Sequence, residues 1–351
     1  MSVAISGDRR PFMGRLVMRR RDVLVLGGAG AVSLAALAAS AGRGWADTTY
    51  TMASVPKVRA PWFNEFEVGL NQAGKDFGVK VYQQAPESAD EALQARLIGD
   101  AINQGINALL AVPNDAKSLV PVFTKARAQK IVVITHESPQ QPEADLDIEM
   151  IDNKAFGAKA MDLLAEKIGA DGGDFVIYVG SLTVPAHNIW ADAALARAKD
   201  KYPKLRQVSN RFPVSEDQSA AHQTALDILT ANPNLKGFLC FGSQGAPGAA
   251  QALGEKGLAG KLAVVGTTSP NQASQYLKDG SMTASIIWDP GEAAYAMVYL
   301  SKLLLDGKKS QVTAEIDIPK LGKPISFSGN TLIYDRPLII TKDNVEQHNN
   351  F

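Results

Sequence analysis

Residues 131–138 read IVVITHES, and this short run indicates the class of fold. Four consecutive apolar residues are typical of a parallel strand that is covered by helices on both faces. Polar residues follow at once, so His136 and Glu137 come directly after the carboxyl end of that strand. Ligands of open parallel sheets bind outside this edge. The run therefore predicts both an α/β fold and the position of a binding site.

The alternation of strand and helix continues on both sides of this run. Before it, the pattern predicts strands over 50–55, 79–82 and 108–112 and helices over 62–77, 88–104 and 116–128. After it, the pattern predicts strands over 175–179, 205–211, 238–241, 262–265, 283–288 and 338–340. Helices are predicted to begin near Asn188, Asp217, Ala246, Asn271 and Gly291, and residues 318–330, rich in Gly, Pro and Ser, predict a loop. Two successive βαβ series predict two doubly wound parallel-sheet lobes.

Composition excludes several classes of protein. Hydrophobic residues are 46% and charged residues 21% of the 351 residues, which suits two soluble domains. Removing the seven arginines and two aspartates of residues 1–46 from the 36 bases and 36 acids leaves 29 bases and 34 acids, a net charge of −5. This acidic balance argues against nucleic acid as a partner. The one cysteine, Cys240, excludes an intramolecular disulfide and a zinc site of several cysteines.

The first 46 residues have the three parts of an export signal. Three arginines at 19–21 precede an uncharged stretch over 23–41, and small residues stand at Gly44 and Ala46. We expect cleavage near Ala46, a twin-arginine type of export signal and a periplasmic protein. Two alternatives remain. The stretch is long enough for an uncleaved membrane anchor, and residues 28–30 resemble a dinucleotide-binding glycine loop, although 38–46 lacks the second strand such a loop needs.

Polar and aromatic side chains follow nearly every predicted strand. Indole rings and hydrogen-bonding groups around one cleft suit a polyhydroxylated ligand. The predicted ligand-binding residues are Lys57, Trp62, His136, Glu137, His187, Asn188, Trp190, Ser243, Gln244, Thr268, Trp288 and Asp289. Each residue type also has a structural alternative: a tryptophan can belong to the core, an asparagine can cap a helix, and a lysine or glutamate can lie on the surface.

Catalytic and cofactor motifs are missing. The sequence has no G-x-x-x-x-G-K-[ST], no G-x-S-x-G and no H-E-x-x-H, so we expect neither an enzyme nor a cofactor or metal site. An enzyme alternative would use Glu137 and Asp289 as its acid and base. A weak metal alternative would join His136 and His187 with a glutamate. A sugar-responsive transcription regulator would need an N-terminal DNA-binding motif, where this chain has an apolar run.

Several segments together resemble a known family. They are the run over 131–138, a predicted Ile-Asp-Asn crossover strand at 151–153, the VGTTSP segment at 265–270, Thr183-Val184 before Asn188-x-Trp190, and the C-terminal segment from Leu338 to Phe351. In these segments residues 47–351 resemble the periplasmic sugar-binding proteins of ABC importers, of the ribose-binding type. Within that family they are most similar to the branch of the autoinducer-2-binding and rhamnose-binding proteins.

The resemblance also bears on the ligand. Lys57 matches the cleft lysine of this family, and Glu137 stands where the branch has an aspartate. The autoinducer-2 binders carry Asp-Gln before Asn-x-Trp, where this chain has Ala186 and His187. They also use a Pro and an Ala near the positions of Phe241 and Ser243. These departures favour a monosaccharide or sugar alcohol over autoinducer-2.

The resemblance implies an organisation and a mechanism. The chain would cross between lobes near Asn153, Asp289 and Val312, a three-strand hinge of the type I periplasmic binding proteins. One lobe would comprise 47–153 and 290–312, the other 154–289 and 313–351. The protein would be a monomer that closes on a sugar or polyol and then docks on a membrane permease, contributing binding rather than bond chemistry.

Overall fold

The structure, a computed structural model, describes residues 49–348. The predicted export signal over 1–46 lies outside these residues. In chain order the strands are β1 (Thr51–Val55), β2 (Lys80–Gln83), β3 (Ala108–Ala111), β4 (Val132–His136), β5 (Leu146–Glu149), β6 (Gly173–Val179), β7 (Leu205–Gln207), β8 (Phe212–Pro213), β9 (Leu235–Cys240), β10 (Ala263–Gly266), β11 (Ala284–Ile287), β12 (Ser326–Ser328), β13 (Thr331–Ile333) and β14 (Leu338–Ile340).

The α-helices fill the connections between these strands. They are α1 (Pro61–Phe77), α2 (Glu91–Asn103), α3 (Val120–Ala128), α4 (Asn153–Ile168), α5 (Pro185–Lys201), α6 (Gln218–Ala231), α7 (Gly245–Glu255), α8 (Pro270–Asp279) and α9 (Pro290–Leu305). None of these helices is long and apolar enough to cross a membrane.

The strands form two sheets, and each sheet is the centre of one lobe. The first has the order β12-β13-β5-β4-β3-β1-β2, and the second β14-β11-β10-β9-β6-β7, with β8 beside β6. All pairs are parallel except β12 with β13 and β11 with β14. Helices α1, α2, α3 and α9 pack on the first sheet and α4 to α8 belong to the second. This confirms the predicted α/β fold of two parallel-sheet lobes.

Helix α1 shows how local sequence sets these elements. Pro61 stands at its first turn, where a missing backbone N–H costs nothing, and Gly78 ends it in the left-handed conformation. The helix buries Trp62, Phe66 and Gly69. Gly69 lets α1 approach α9 closely, because a Cβ at this position would lie 2.1 Å from the carbonyl oxygen of Gly291.

The third crossing between lobes differs from the prediction. Residues 313–351 were predicted to lie in the second lobe, but Thr331 of β13 pairs with Asp147 of β5 in the first sheet. The chain therefore passes to the second sheet between Ile333 and Leu338, rather than near Val312. Residues 318–330 were predicted as a loop from their Gly, Pro and Ser content, but they include β12. The β12–β13 hairpin has three-residue strands joined by a two-residue turn, which is too short to show a clear alternation in the sequence.

Strand β5 was also missed. The triplet 151–153 contains no strand: Asp152 caps α4 by accepting from the backbone of Lys154 and Ala155, and Asn153 opens that helix. The strand that precedes this crossing is Leu146–Glu149. It carries the acids Asp147 and Glu149 at buried positions, and this polar pattern hides it from a search for apolar runs.

Candidate functional site

The carboxyl ends of strands from both sheets surround one small buried cavity. Its space, about 10 Å³ for the centre of a water-sized sphere, admits about one water molecule. The residues that line it come from both lobes: Lys57, Trp62, Phe63, Glu137, His187, Trp190, Glu216, Gly242, Ser243, Thr267 and Trp288. Seven of the twelve predicted residues are in this set. A larger groove, here called the mouth groove, is lined by Arg59, Glu87 and Gln244 among others and shares Glu216 with the cavity.

Lys57 is the centre of the site. Its side chain is 4% exposed. The ammonium lies 2.7 Å from Glu137 Oε2 in the first lobe and 3.2 Å from Glu216 Oε1 in the second. Burial alone would lower the pKa of Lys57, but the two carboxylates outweigh it and the pKa is raised. The ammonium therefore stays charged and ties the two lobes together.

Glu137 reaches this position through an unusual backbone. Its φ is +59°, the left-handed region that residues with a Cβ rarely adopt. The residue follows β4 directly and is buried. Strain of this kind persists where the surrounding structure imposes it, and it is frequent at functional sites. Here it points the carboxylate at Lys57.

His187 offers a hydrogen-bond donor to the cavity. Its Nδ1 accepts from the backbone N–H of Gly180 at 3.0 Å. Burial and the nearby Lys57 hold the pKa of His187 well below its usual value, so the ring is neutral and its proton is on Nε2. That nitrogen lies 3.0 Å from Lys57 Nζ, which is also a donor. The contact is therefore not a hydrogen bond, and the Nε2 proton is left to an acceptor in the cavity.

Glu216 is the main site residue that the sequence did not predict. Its Oε1 is buried and has no hydrogen-bond partner among residues 49–348. The 3.2 Å ion pair with Lys57 meets the distance but not the alignment of a hydrogen bond. Glu216 comes shortly after the two-residue strand β8, which was not predicted because the predicted strand over 205–211 ended just before it. The rule of strand ends would have found it if β8 had been recognised.

Aromatic rings form the wall of the cavity. Trp288 makes edge-on contacts with Trp62 at 5.3 Å and with Trp190 at 5.5 Å between ring centroids. Trp190 also stacks on the ring of His187 at 5.2 Å. Trp288 is 1% exposed and belongs to the main hydrophobic core. It thus belongs to the core, the structural alternative given for the tryptophans, and also lines the cavity.

His136 lies behind this wall. Its Nδ1 is 2.6 Å from the carbonyl oxygen of Ile148 and therefore donates to it. Its Nε2 then accepts from the indole nitrogen of Trp288 at 3.2 Å. Burial lowers the pKa of His136, which agrees with this neutral tautomer. The residue orients Trp288 and does not line the cavity.

Four further predicted residues make structural contacts instead. Thr268 donates to the carbonyl of Ser243 at 2.5 Å, and Gln244 bonds Ser243 and Gln272 at the mouth. The Asn188 amide is turned away from the cavity, donating to Val184 and accepting from Arg211. Asp289 caps α9 by accepting from the backbone of Gly291. Glu137 and Asp289 therefore do not share the cavity, as an acid–base pair would need. No group of three or more His, Cys, Asp and Glu within residues 49–348 could hold a metal ion.

Comparison with known proteins identifies a family. Residues 53–309 match the model of the periplasmic binding protein domain. The D-allose-binding periplasmic protein of Escherichia coli is 27% identical over 73% of this chain and 84% of its own. The xylitol-binding protein of Mycolicibacterium smegmatis is 23% identical over 84% of both chains.

Solved structures share the fold. A solute-binding protein of Clostridium phytofermentas with bound L-rhamnose has a TM-score of 0.80 at 24% identity, and covers 86% of this chain and 98% of its own. LsrB of Clostridium saccharobutylicum in complex with AI-2 has a TM-score of 0.78 at 22% identity, with 85% and 99% covered. These comparisons confirm the predicted family resemblance.

Proposed function

Because the chain belongs to the periplasmic binding protein family, we propose that it is the solute-binding component of an ABC importer. It binds a monosaccharide or sugar alcohol and delivers it to a permease at the inner membrane. One observation carries the proposal: Lys57 of the first lobe contacts Glu216 and His187 of the second, inside a cavity walled by three tryptophans. A ligand bound there touches both lobes and stabilises their closure.

The donors and acceptors of the cavity support a polyhydroxylated ligand. The ammonium of Lys57 and the Nε2 proton of His187 can donate to hydroxyl oxygens, and Glu137 can accept from hydroxyl protons. The indole faces of Trp62 and Trp190 can pack on C–H groups. Relatives with the names D-allose-binding, xylose-binding and xylitol-binding proteins support the same ligand class.

Hinge closure is the conformational step of this function. The present cavity admits about one water, far less than a monosaccharide needs. The lobes must therefore move apart to admit a sugar and close again around it. The three crossings of the chain between the sheets are the natural hinge. Small-angle X-ray scattering with a saturating bound sugar is expected to show a smaller radius of gyration than the sugar-free protein in solution.

Export completes the proposal. Residues 1–46 act as a signal that is removed near Ala46, and the mature protein works as a monomer in the periplasm. N-terminal sequencing of the exported protein should begin at or within a few residues of Asp47. A mature protein that keeps residues 23–41 would contradict the cleaved signal.

A thermal-shift screen tests the central claim. The probes are D-allose, D-ribose, D-xylose, xylitol, L-rhamnose and D-arabinose, each at millimolar concentration. A ligand at 100 times its dissociation constant adds about 2.7 kcal/mol to the free energy of unfolding, which raises the melting temperature by several degrees. Mass analysis of the recovered ligand separates a binder from a sugar-modifying enzyme, because a binder returns it unchanged. Absence of any shift across the screen would contradict sugar binding.

A further inference from the structure

The charges around the cavity do not balance. Within the described part of the chain, Lys57 is the one cation among the lining residues, and it faces the two carboxylates Glu137 and Glu216. His187 is neutral. The nearest arginine of the mouth groove, Arg59, is engaged at the surface with Glu87 at 3.0 Å. With both carboxylates ionised, the cavity has a net charge of −1.

Two buried oxygens of residues that line this cavity accept no hydrogen bond from the described residues, although one of them, Glu216 Oε1, has the ammonium of Lys57 3.2 Å away. Neither Glu216 Oε1 nor Thr267 Oγ1 has a hydrogen bond to any residue of the described chain, and both residues line the cavity. A buried polar atom without a partner is costly, so such atoms are usually satisfied by water or a ligand. Both belong to the second lobe and lie opposite Glu137.

We propose that Glu216 contacts the ligand and determines its charge: the site accepts uncharged sugars and rejects sugar acids. This inference rests on the proposed function, that the cavity binds a sugar. Glu216 accepts a hydroxyl proton of the sugar from the second lobe, as Glu137 does from the first.

Sugar acids are rejected because two carboxylates already pair with the ammonium group of Lys57. A third carboxylate, brought in by a sugar acid, would be desolvated and would face more negative than positive charge. A hydroxyl group meets no such penalty and satisfies the Oε1 atom.

Calorimetric titration and thermal shift test this proposal. The uncharged probes are those of the screen above, and the acidic probes are D-glucuronate, D-galacturonate, D-gluconate and D-ribonate. The wild-type protein is expected to bind its best uncharged sugar at least 100-fold more tightly than any of these acids. Glu216→Gln is expected to bind that sugar at least tenfold more weakly. The ratio of its affinity for the uncharged sugar to its affinity for the sugar acids is expected to fall at least tenfold.

A control and a second readout separate ligand contact from a structural role. Glu166→Gln makes the same charge change at an exposed position of α4 in the same lobe and is expected to leave both affinities unchanged. Without sugar, Glu216→Gln is expected to melt at or above the wild-type temperature, because it removes the excess negative charge of the cavity while Lys57 keeps Glu137 as its ion-pair partner.

Three results would overturn the proposal. One is a sugar acid that binds the wild-type protein as tightly as the best uncharged sugar. Another is an unchanged sugar affinity in Glu216→Gln, most clearly if the variant also melts several degrees lower, since Glu216 would then only pair with Lys57. If neither uncharged nor acidic probes bind the wild-type protein, the proposed function itself fails and this inference fails with it.

Discussion

The indole N–H of Trp190 donates a hydrogen bond to the side-chain oxygen of Asn153. The amide nitrogen of Asn153 donates in turn to Glu149 Oε2 at 3.0 Å. Glu149 ends strand β5 of the first sheet, Asn153 lies at the first crossing between lobes, and Trp190 lines the cavity from the second lobe. One amide thus connects a buried carboxyl of one lobe to the wall of the cavity in the other, at the first crossing between the lobes.

Asn153→Ala is expected to destabilise the protein and to weaken ligand binding. It leaves the Trp190 N–H and the Glu149 carboxyl without partners, and each unpaired buried group costs about 1–3 kcal/mol. We expect a loss of about 2 kcal/mol or more in urea denaturation. The matched control is Asn64→Ala at an exposed position of α1, which should stay within about 0.5 kcal/mol of the wild type. Equal stability of the two variants would show that the hydrogen bonds of Asn153 contribute nothing to the free energy of unfolding.

The acid pair on β5 predicts a stability that falls as pH rises. Burial raises the pKa of Asp147 to about 7 and raises that of Glu149 well above its usual value. The folded protein therefore binds more protons than the unfolded chain above about pH 4. By linkage, the contribution of this pair is fully present below pH 4 and is lost as pH rises towards and beyond 7.

Asp147→Asn tests this pH dependence. The amide keeps the hydrogen bond from Thr135, 2.7 Å away, and can donate to the unpartnered oxygen of Glu149. The variant is expected to gain stability on the order of 2 kcal/mol at pH 8 and little at pH 4.5. Urea midpoints at both pH values measure it. An identical pH slope in the variant and the wild type would contradict the linkage.

Glu137→Gln is expected to weaken sugar binding tenfold to a hundredfold. The amide loses a charge-assisted hydrogen bond worth about 1.5–3 kcal/mol, while the volume of the side chain is unchanged. Calorimetric titration with the best sugar of the screen measures the affinity, beside Glu166→Gln as a control of equal charge change. A folded Glu137→Gln with wild-type affinity would remove Glu137 from the site.

Trp288→Ala is expected to weaken ligand binding and to lower the stability of the fold. The ring contacts Trp62, Trp190 and Phe156 and is fully buried, so truncation should cost about 3–5 kcal/mol. Trp288→Phe keeps an aromatic ring and loses the donor to His136, so it should cost less and leave a protein in which affinity can be measured. A melting temperature of Trp288→Ala equal to the wild type would exclude the tryptophan from the core.

The contact of α1 with α9 predicts that alanine substitutions at two glycines will have opposite effects on the stability of the protein. Gly69→Ala places a Cβ 2.1 Å from the Gly291 carbonyl oxygen, and the helices must separate, which should cost at least about 2 kcal/mol. Gly99→Ala on α2 places its Cβ where no described atom lies within 4 Å, and should gain up to about 1 kcal/mol from helix propensity. The two melting curves should shift in opposite directions.

Strand ends were the part of the site that the sequence revealed best. Apolar runs marked the strands, and the residues after them included Lys57 and Glu137, which the structure brings to within 2.7 Å. The approach could not tell which strand-end side chains turn inwards. Asp289 caps a helix and Asn188 bonds Arg211, since short polar residues satisfy nearby backbone and charges as readily as a ligand.

Short elements and polar strands were the part of the fold that the sequence hid. Glu216 follows a strand of two residues, and β12 and β13 have three residues each. Such pieces show no periodicity of their own, and their place is decided by the partner strand. The pairing of Thr331 with Asp147 is a contact over 184 positions, which no local pattern contains.

The cluster of three indole rings has an optical consequence. The fourth tryptophan, Trp45, belongs to the segment expected to be cleaved, so the exported protein would emit only from Trp62, Trp190 and Trp288. Trp288 contacts both of the other rings, with centroid distances of 5.3 Å to Trp62 and 5.5 Å to Trp190. All three rings border the cavity. The three tryptophans are therefore an intrinsic fluorescent probe at the cavity between the lobes, and a change in their emission on addition of sugar would report binding there without any label.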